Sequence, residues 1–79
     1  MARQVVTEQE LLHTLNQRLA LRDQCSGCQF TSVVRLQGQA HDGRNWTTAN
    51  LRCSGTPASV CAPAANAVVE EVSKSHNLV

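Results

Sequence analysis

Residues 30–53 read FTSVVRLQGQAHDGRNWTTANLRC, and this stretch decides the fold. Residues 30–36 and 46–53 are rich in β-branched and aromatic side chains, so each run is predicted to form a strand. Asp42-Gly43 lies between the two runs and is a strong two-residue turn signal, because Gly readily adopts the positive φ of such turns. The stretch therefore predicts an antiparallel β-hairpin.

A two-residue turn at Asp42-Gly43 fixes the register of this hairpin. Three pairs then share one largely apolar face: Leu36 with Ala49, Val34 with Leu51, and Ser32 with Cys53. The opposite, mostly polar face carries Val33, Arg35, Gln37, Gln39, Trp46, Thr48, Asn50 and Arg52. A slip of one residue would mix the two sets, which favours this register.

A helix is predicted on the N-terminal side, over residue 8 to about residue 23. Thr7 and Glu10 have the spacing of a capping box, in which each side chain bonds to the other residue's main chain. Apolar residues follow at helical spacing: Leu11, Leu12, Leu15 and Leu19. This stripe predicts an amphipathic helix with one face in the core.

A second helix is predicted after the hairpin. Pro63 is best tolerated in a first turn, which favours Ser59 over Thr56 as the N-cap. Small apolar residues then share one face: Cys61, Ala64, Ala65, Val68 and Val72. His76 and Asn77 are predicted to end this helix.

Together these elements predict one α+β domain over residues 1–79, in the order α-β-β-α. Both helices would pack on the Val34/Leu36/Ala49/Leu51 face of the hairpin. A chain of 79 residues buries a thin core, and such domains commonly need a metal, a disulfide or a partner chain. The sequence therefore directs attention to its four cysteines.

The cysteines form a C-x2-C pair, Cys25 and Cys28, followed after the hairpin by Cys53 and Cys61. Thiolates at this spacing suit tetrahedral zinc, so all four are candidate zinc ligands. The order of a C-x2-C turn, a hairpin and a helix resembles that of treble-clef zinc domains. Those domains take their last two ligands from the helix, whereas here Cys53 comes from a strand end. Two other states stay open. The cysteines are buried reduced thiols, or they form disulfides, with Cys25–Cys28 or Cys53–Cys61 favoured.

Other chemistry is disfavoured by the sequence. A dithiol redox centre needs a thiol with a depressed pKa. The C-x2-C pair instead follows the C-terminal end of a helix, where the negative end of the helix dipole raises the thiol pKa. His13, His41 and His76 have no second ligand at helical or turn spacing and are predicted to be surface residues. No phosphate-binding loop or nucleophile motif is present, so the chain is not predicted to be an enzyme.

Trp46 is the residue with the most information about binding. The predicted register places it on the outer face near Arg35, Arg52 and Asn50, and Trp with Arg neighbours is typical of protein interfaces. Two alternatives stay open, in which Trp46 fills a local gap or stacks on a base of single-stranded nucleic acid. A protein partner or a second copy of the chain is the predicted contact.

The predicted function is therefore a non-enzymatic binding or adaptor module that a four-cysteine zinc site can stabilise. The alternatives are a zinc domain that binds single-stranded nucleic acid and a dithiol redox protein. A net charge of +1 gives no footprint for duplex nucleic acid, and no apolar run is long enough for a bilayer. The N-terminus lacks the apolar run of a signal peptide, which predicts a cytoplasmic protein.

Overall fold

The computed structural model describes residues 4–38 and 43–79 of the chain. The strands are β1 (Gln4–Val6), β2 (Cys28–Arg35), β3 (Trp46–Cys53) and β4 (His76–Leu78), and the helices are α1 (Glu8–Leu19) and α2 (Ala58–Ser73). A small α+β domain with two helices and an antiparallel hairpin, as predicted, is confirmed. The predicted order α-β-β-α is incomplete, because the strand β1 precedes α1 and the strand β4 follows α2.

The two additional strands form a parallel pair at the chain ends. Gln4 lies opposite His76 and Val6 opposite Leu78, and hydrogen bonds from Gln4 to Ser75 and from Val79 to Val6 extend the pair. The prediction that His76 and Asn77 end α2 is therefore wrong, since α2 stops at Ser73. Strands of three residues carry too little alternation to be recognised in a sequence.

Helix α1 begins as predicted and ends earlier. The Thr7 hydroxyl accepts from the Glu10 amide at 3.1 Å, and the Glu10 carboxylate accepts from the Thr7 amide at 3.3 Å. The helix stops at Leu19 rather than near residue 23, and a 3-10 turn occupies Asp23–Cys25. Leu21 is 83% exposed, so a longer helix would add no burial there, whereas the turn buries Cys25.

Helix α2 begins before the predicted position. Its N-cap is Pro57 rather than Ser59, and Pro63 therefore lies inside the helix instead of in its first turn. The proline removes the hydrogen bond to the carbonyl group of Ser59. Ser59 is on the exposed side of the helix, where water can replace the missing donor. The predicted apolar face is confirmed, since Cys61, Ala64, Ala65, Val68 and Val72 are all buried.

The hairpin has a longer loop than the sequence predicts. Ser32 pairs with Ala49, and Cys28 pairs with Cys53, so the register differs by four positions from the predicted one. The Leu36 amide donates to the Asn45 carbonyl at 2.9 Å, which makes the connection the stretch between these residues. Residues 39–42, including Gln39, His41 and Asp42 of the predicted turn, lie outside the described residues. The register fixed by a two-residue turn is therefore wrong.

The face of the hairpin that meets the core changes along its length. Near the cysteines the buried residue of β2 is Phe30, but farther along Val33 packs against the core and Val34 is 44% exposed. Asn50 in β3 has a φ of 58°, a left-handed conformation that interrupts strand alternation. The uniform apolar face predicted for Val34, Leu36, Ala49 and Leu51 is therefore wrong.

Helix α1 also protects the outer edge of β2. The Asn16 side chain accepts from the Phe30 amide at 2.7 Å and donates to the Phe30 carbonyl at 3.1 Å. The carboxamide thus occupies both main-chain groups, as a neighbouring strand would. The same helix buries Leu11, Leu15 and Leu19 completely.

The start of β3 is attached to β4 in a similar way. The Asn45 carboxamide accepts from the Leu78 amide at 2.9 Å and donates to the Leu78 carbonyl at 3.1 Å. The Trp46 indole N–H donates to the His76 carbonyl at 2.9 Å. The hairpin and the terminal strand pair therefore belong to one hydrogen-bonded unit. No helix within residues 4–38 and 43–79 has the length and apolarity to cross a bilayer.

Candidate functional site

The four cysteines come together at one end of the hairpin. Cys25 lies in the 3-10 turn, Cys28 and Cys53 face each other across β2 and β3, and Cys61 lies in the first turns of α2. The Sγ atoms of Cys28, Cys53 and Cys61 lie within 4.8 Å of one another. Sequence reasoning named all four residues, and the structure places them in one cluster.

In the structure these residues form two disulfides, Cys25–Cys61 and Cys28–Cys53, with Cα–Cα distances of 4.7 and 3.9 Å. Both favoured pairings, Cys25–Cys28 and Cys53–Cys61, are therefore wrong, and none of the four cysteines is unpaired in this structure. The predicted register separates Cys28 from Cys53 by four positions, so it does not predict a disulfide between them. Zinc binding by the four sulfurs stays a prediction.

Main-chain contacts hold the cluster in place independently of the sulfur atoms. Gly27 has a φ of 78°, and a Cβ atom there would lie 2.2 Å from the Ser54 carbonyl oxygen. The Ser54 amide donates to the Gly27 carbonyl at 3.0 Å, and the Thr56 hydroxyl donates to the Ser26 carbonyl at 2.7 Å. Only glycine permits this approach, which positions Cys28 against Cys53.

Trp46, the central residue of the predicted contact surface, is not on the surface of the structure. Trp46 is completely buried, and its indole N–H is bonded within the chain. The prediction that Trp46 is exposed on the outer face is wrong, because the core-facing side changes beyond Asn50 and brings the indole inward. Trp46 therefore cannot anchor a partner or stack on a base in this structure.

The other predicted contact residues are on the surface. Arg35, Asn50 and Arg52 are all exposed, and Arg35 donates to the Val79 carbonyl. Their role in partner binding stays a prediction. Among the histidines, His13 is exposed as predicted and His76 is only partly so, with its ring nitrogen 2.8 Å from the Ser75 hydroxyl.

A cleft of about 340 Å³ lies between α2 and the start of β3. Its lining is mostly polar and consists of Arg44, Thr47, Thr48, Asn66, Val69 and Glu70. The Arg44 guanidinium lies over the Trp46 ring, 6.0 Å from the ring centroid. Two oppositely charged groups, two hydroxyls and an amide thus surround one cavity, which can bind a small polar or charged group.

Sequence reasoning missed this cleft. Its residues come from segments that are well separated in the chain. The predicted register of the hairpin also differs from the one that brings Thr47 and Thr48 toward α2. The only available signal was Arg44, which stands two positions before Trp46, at a spacing that lets a cation reach an aromatic ring.

Fold and site define a small, disulfide-cross-linked α+β domain with a polar cleft beside its hairpin. No protein-family model matches the chain, and neither a curated protein nor a solved structure matches it.

Proposed function

We propose that this chain is a non-enzymatic binding module whose cleft takes an acidic side chain of a protein partner. The observation that carries the proposal is the Arg44 guanidinium, which lines the cleft and lies over the Trp46 ring. A guanidinium is planar and always charged, and it binds a carboxylate through two parallel hydrogen bonds.

The Trp46 ring supports this role because it orients the cation. A guanidinium that stacks on a ring face forms its hydrogen bonds in its own plane, along the edges that carry the N–H donors. The ring itself is held by its bond to the His76 carbonyl and by complete burial. A cation that is already oriented loses less conformational entropy when a ligand arrives.

The remaining cleft residues limit what can bind. The hydroxyls of Thr47 and Thr48 and the amide of Asn66 can donate to a carboxylate, whereas Glu70 repels a second negative group and favours a donor. About 340 Å³ is near the lower end of ligand sites, which span roughly 300–1,000 Å³. This volume suits one acidic side chain with an adjacent amide or ammonium group.

The charge of the two hairpin strands also favours an acidic partner. Strands β2 and β3 contain Arg35 and Arg52 and no acidic residue. Exposed cations near a binding site steer acidic partners toward it and raise the association rate. Self-association and a cytoplasmic location stay predictions. Binding of single-stranded nucleic acid has lost its main support, since it required an exposed Trp46.

The proposal is tested with an acidic peptide of alternating Glu and Ser, titrated into the oxidised protein and followed by Trp46 fluorescence. We expect saturable quenching or a spectral shift, and no response to the matched Gln-Ser peptide. Arg44→Gln should weaken binding at least about tenfold, since a charge-assisted hydrogen bond contributes roughly 1.5–3 kcal/mol. Arg18→Gln removes the same charge from α1 and should leave the affinity unchanged.

Two outcomes contradict the proposal. Equal binding of the Glu and Gln peptides would show that carboxylates are not recognised. Unchanged affinity of Arg44→Gln, in a variant whose thermal melting matches that of the parent, would remove the cleft as the site. An oligothymidine titration completes the test, because tighter, salt-sensitive binding of that strand would favour a nucleic-acid ligand.

A further inference from the structure

We infer that the four clustered cysteines form a tetrathiolate zinc site when both disulfides are reduced. This inference does not depend on the ligand proposed for the cleft, which lies between α2 and the start of β3. It rests on the positions of the sulfur atoms, on the main-chain framework around them and on their burial.

The sulfur atoms are already close to a coordination geometry. Those of Cys28, Cys53 and Cys61 lie within 4.8 Å of one another, and Cys25 is joined to Cys61. Zinc–sulfur bonds of about 2.3 Å place the sulfurs of a tetrahedral site roughly 3.8 Å apart. After reduction, the two bonded pairs must separate to this distance, and the Sγ atoms of Cys28, Cys53 and Cys61 need to approach one another by no more than about 1 Å. The Cys25 Sγ, which starts beside that of Cys61, must turn toward the other two by side-chain rotation.

The framework around the cluster contains no sulfur bond, so reduction of the disulfides breaks none of its contacts directly. The Ser54 amide and the Gly27 carbonyl join the two strands, and the Thr56 hydroxyl joins the segment before α2 to Ser26. The strand ladder belongs to the same framework and places Cys28 opposite Cys53. Four thiols presented by the 3-10 turn, β2, β3 and α2 are thus held near one point.

The surroundings favour zinc over other metals. Cys25, Cys28 and Cys61 are buried and Cys53 is partly buried, so the cluster is largely shielded from water, as structural zinc sites are. Four thiolates in a tetrahedral arrangement suit zinc, whereas Ca²⁺ and Mg²⁺ prefer oxygen ligands. Cys61 lies near the N-terminal end of α2, whose dipole stabilises a thiolate.

The conversion is balanced with a dithiol as the reductant. Each of two dithiol molecules transfers two electrons and two protons to one protein disulfide and becomes a cyclic disulfide itself. The chain then carries four thiols. Binding of Zn²⁺ forms four zinc–sulfur bonds and releases the four thiol protons to solvent. Oxidation of the zinc-bound form by two disulfide molecules, which together accept four electrons and take up four protons from solvent, returns both protein disulfides and releases the metal.

The inference is tested on the full chain, without oxygen, in its oxidised and dithiol-reduced forms. Native mass spectrometry should find one zinc ion per reduced chain and none on the oxidised chain. Cobalt should give the absorption bands of tetrahedral tetrathiolate coordination. If the reduced chain unfolds, zinc should restore its circular dichroism, because metal binding then drives folding.

Variants separate a four-sulfur site from adventitious binding. Cys25→Ser and Cys53→Ser should each lower zinc affinity about a hundredfold and change the cobalt spectrum, whereas Ser54→Ala should not. The inference is overturned if the reduced parent binds no zinc. It is also overturned if Cys25→Ser binds zinc as tightly as the parent, or if zinc binds an unfolded reduced chain without refolding it.

Discussion

Removal of the Cys25–Cys61 disulfide tests how far cross-linking stabilises this domain. Considered alone, this bridge joins residues 36 positions apart in sequence, but the Cys28–Cys53 bridge lies inside that loop. In the unfolded chain the inner bridge shortens the path, so the outer bridge closes a ring of only about 13 residues. The chain-entropy relation gives roughly 3 kcal/mol for such a ring, against almost 4 kcal/mol for the full loop.

The double variant Cys25→Ala/Cys61→Ala is therefore expected to lose about 3 kcal/mol of unfolding free energy. Both residues are completely or almost completely buried, so lost packing adds to this value. For a chain of this size the total is roughly 4–12 kcal/mol, which makes the change easy to detect. Guanidinium denaturation of the oxidised proteins, followed by circular dichroism, measures it.

A second measurement isolates the cross-link from the packing. With a dithiol present, the parent and the variant both lack the Cys25–Cys61 bridge. The difference between their unfolding free energies should then fall to the contribution of the lost packing alone. A loss of less than about 1 kcal/mol in the oxidised comparison, or an equal difference with and without the dithiol, would refute the reasoning.

Three further substitutions test contacts described above. Gly27→Ala should lower the unfolding free energy by at least about 2 kcal/mol, because a Cβ atom there meets the Ser54 carbonyl. Gly55→Ala is the control, because Gly55 has the same left-handed strain of roughly 1–2 kcal/mol but open space around it. Comparable thermal shifts of the two variants would contradict the close approach at Gly27. Asn16→Ala should lower the unfolding free energy, measured by chemical denaturation, by about 2–3 kcal/mol, because the amide and the carbonyl of Phe30 both lose their partner. Asn66 is exposed, so the control Asn66→Ala should leave the unfolding free energy nearly unchanged. Trp46→Phe should cost about 2 kcal/mol, because the His76 carbonyl loses its donor and the core loses volume, and an unchanged midpoint by circular dichroism would dispute the buried indole bond.

The helices were largely predictable because their signals are local. The Thr7–Glu10 capping box lies within one turn of chain, and the apolar spacing of both helices reports their buried faces directly. The register of the hairpin was not predictable, because the loop between Leu36 and Asn45 is longer than the turn that its strongest dipeptide suggests.

The errors in the site follow from that register. A displacement of four positions separates Cys28 from Cys53, and a left-handed residue at Asn50 changes which side of β3 meets the core. Neither feature leaves a mark in hydrophobic periodicity. The identity of the clustered cysteines was accessible from the sequence, but their pairing and the cleft beside Arg44 depend on contacts between distant segments.

The parallel pairing of β1 and β4 has a mechanical consequence. Because the strands run in the same direction, force applied to the two chain ends pulls them past each other and loads their hydrogen bonds together. Once this pair yields, the chain lengthens only outside the Cys25–Cys61 bridge. The bridge keeps the 36 positions that it spans from extending, which at about 3.4 Å per residue corresponds to roughly 120 Å of length. A stretched oxidised molecule would thus stop at a length that reduction alone can increase.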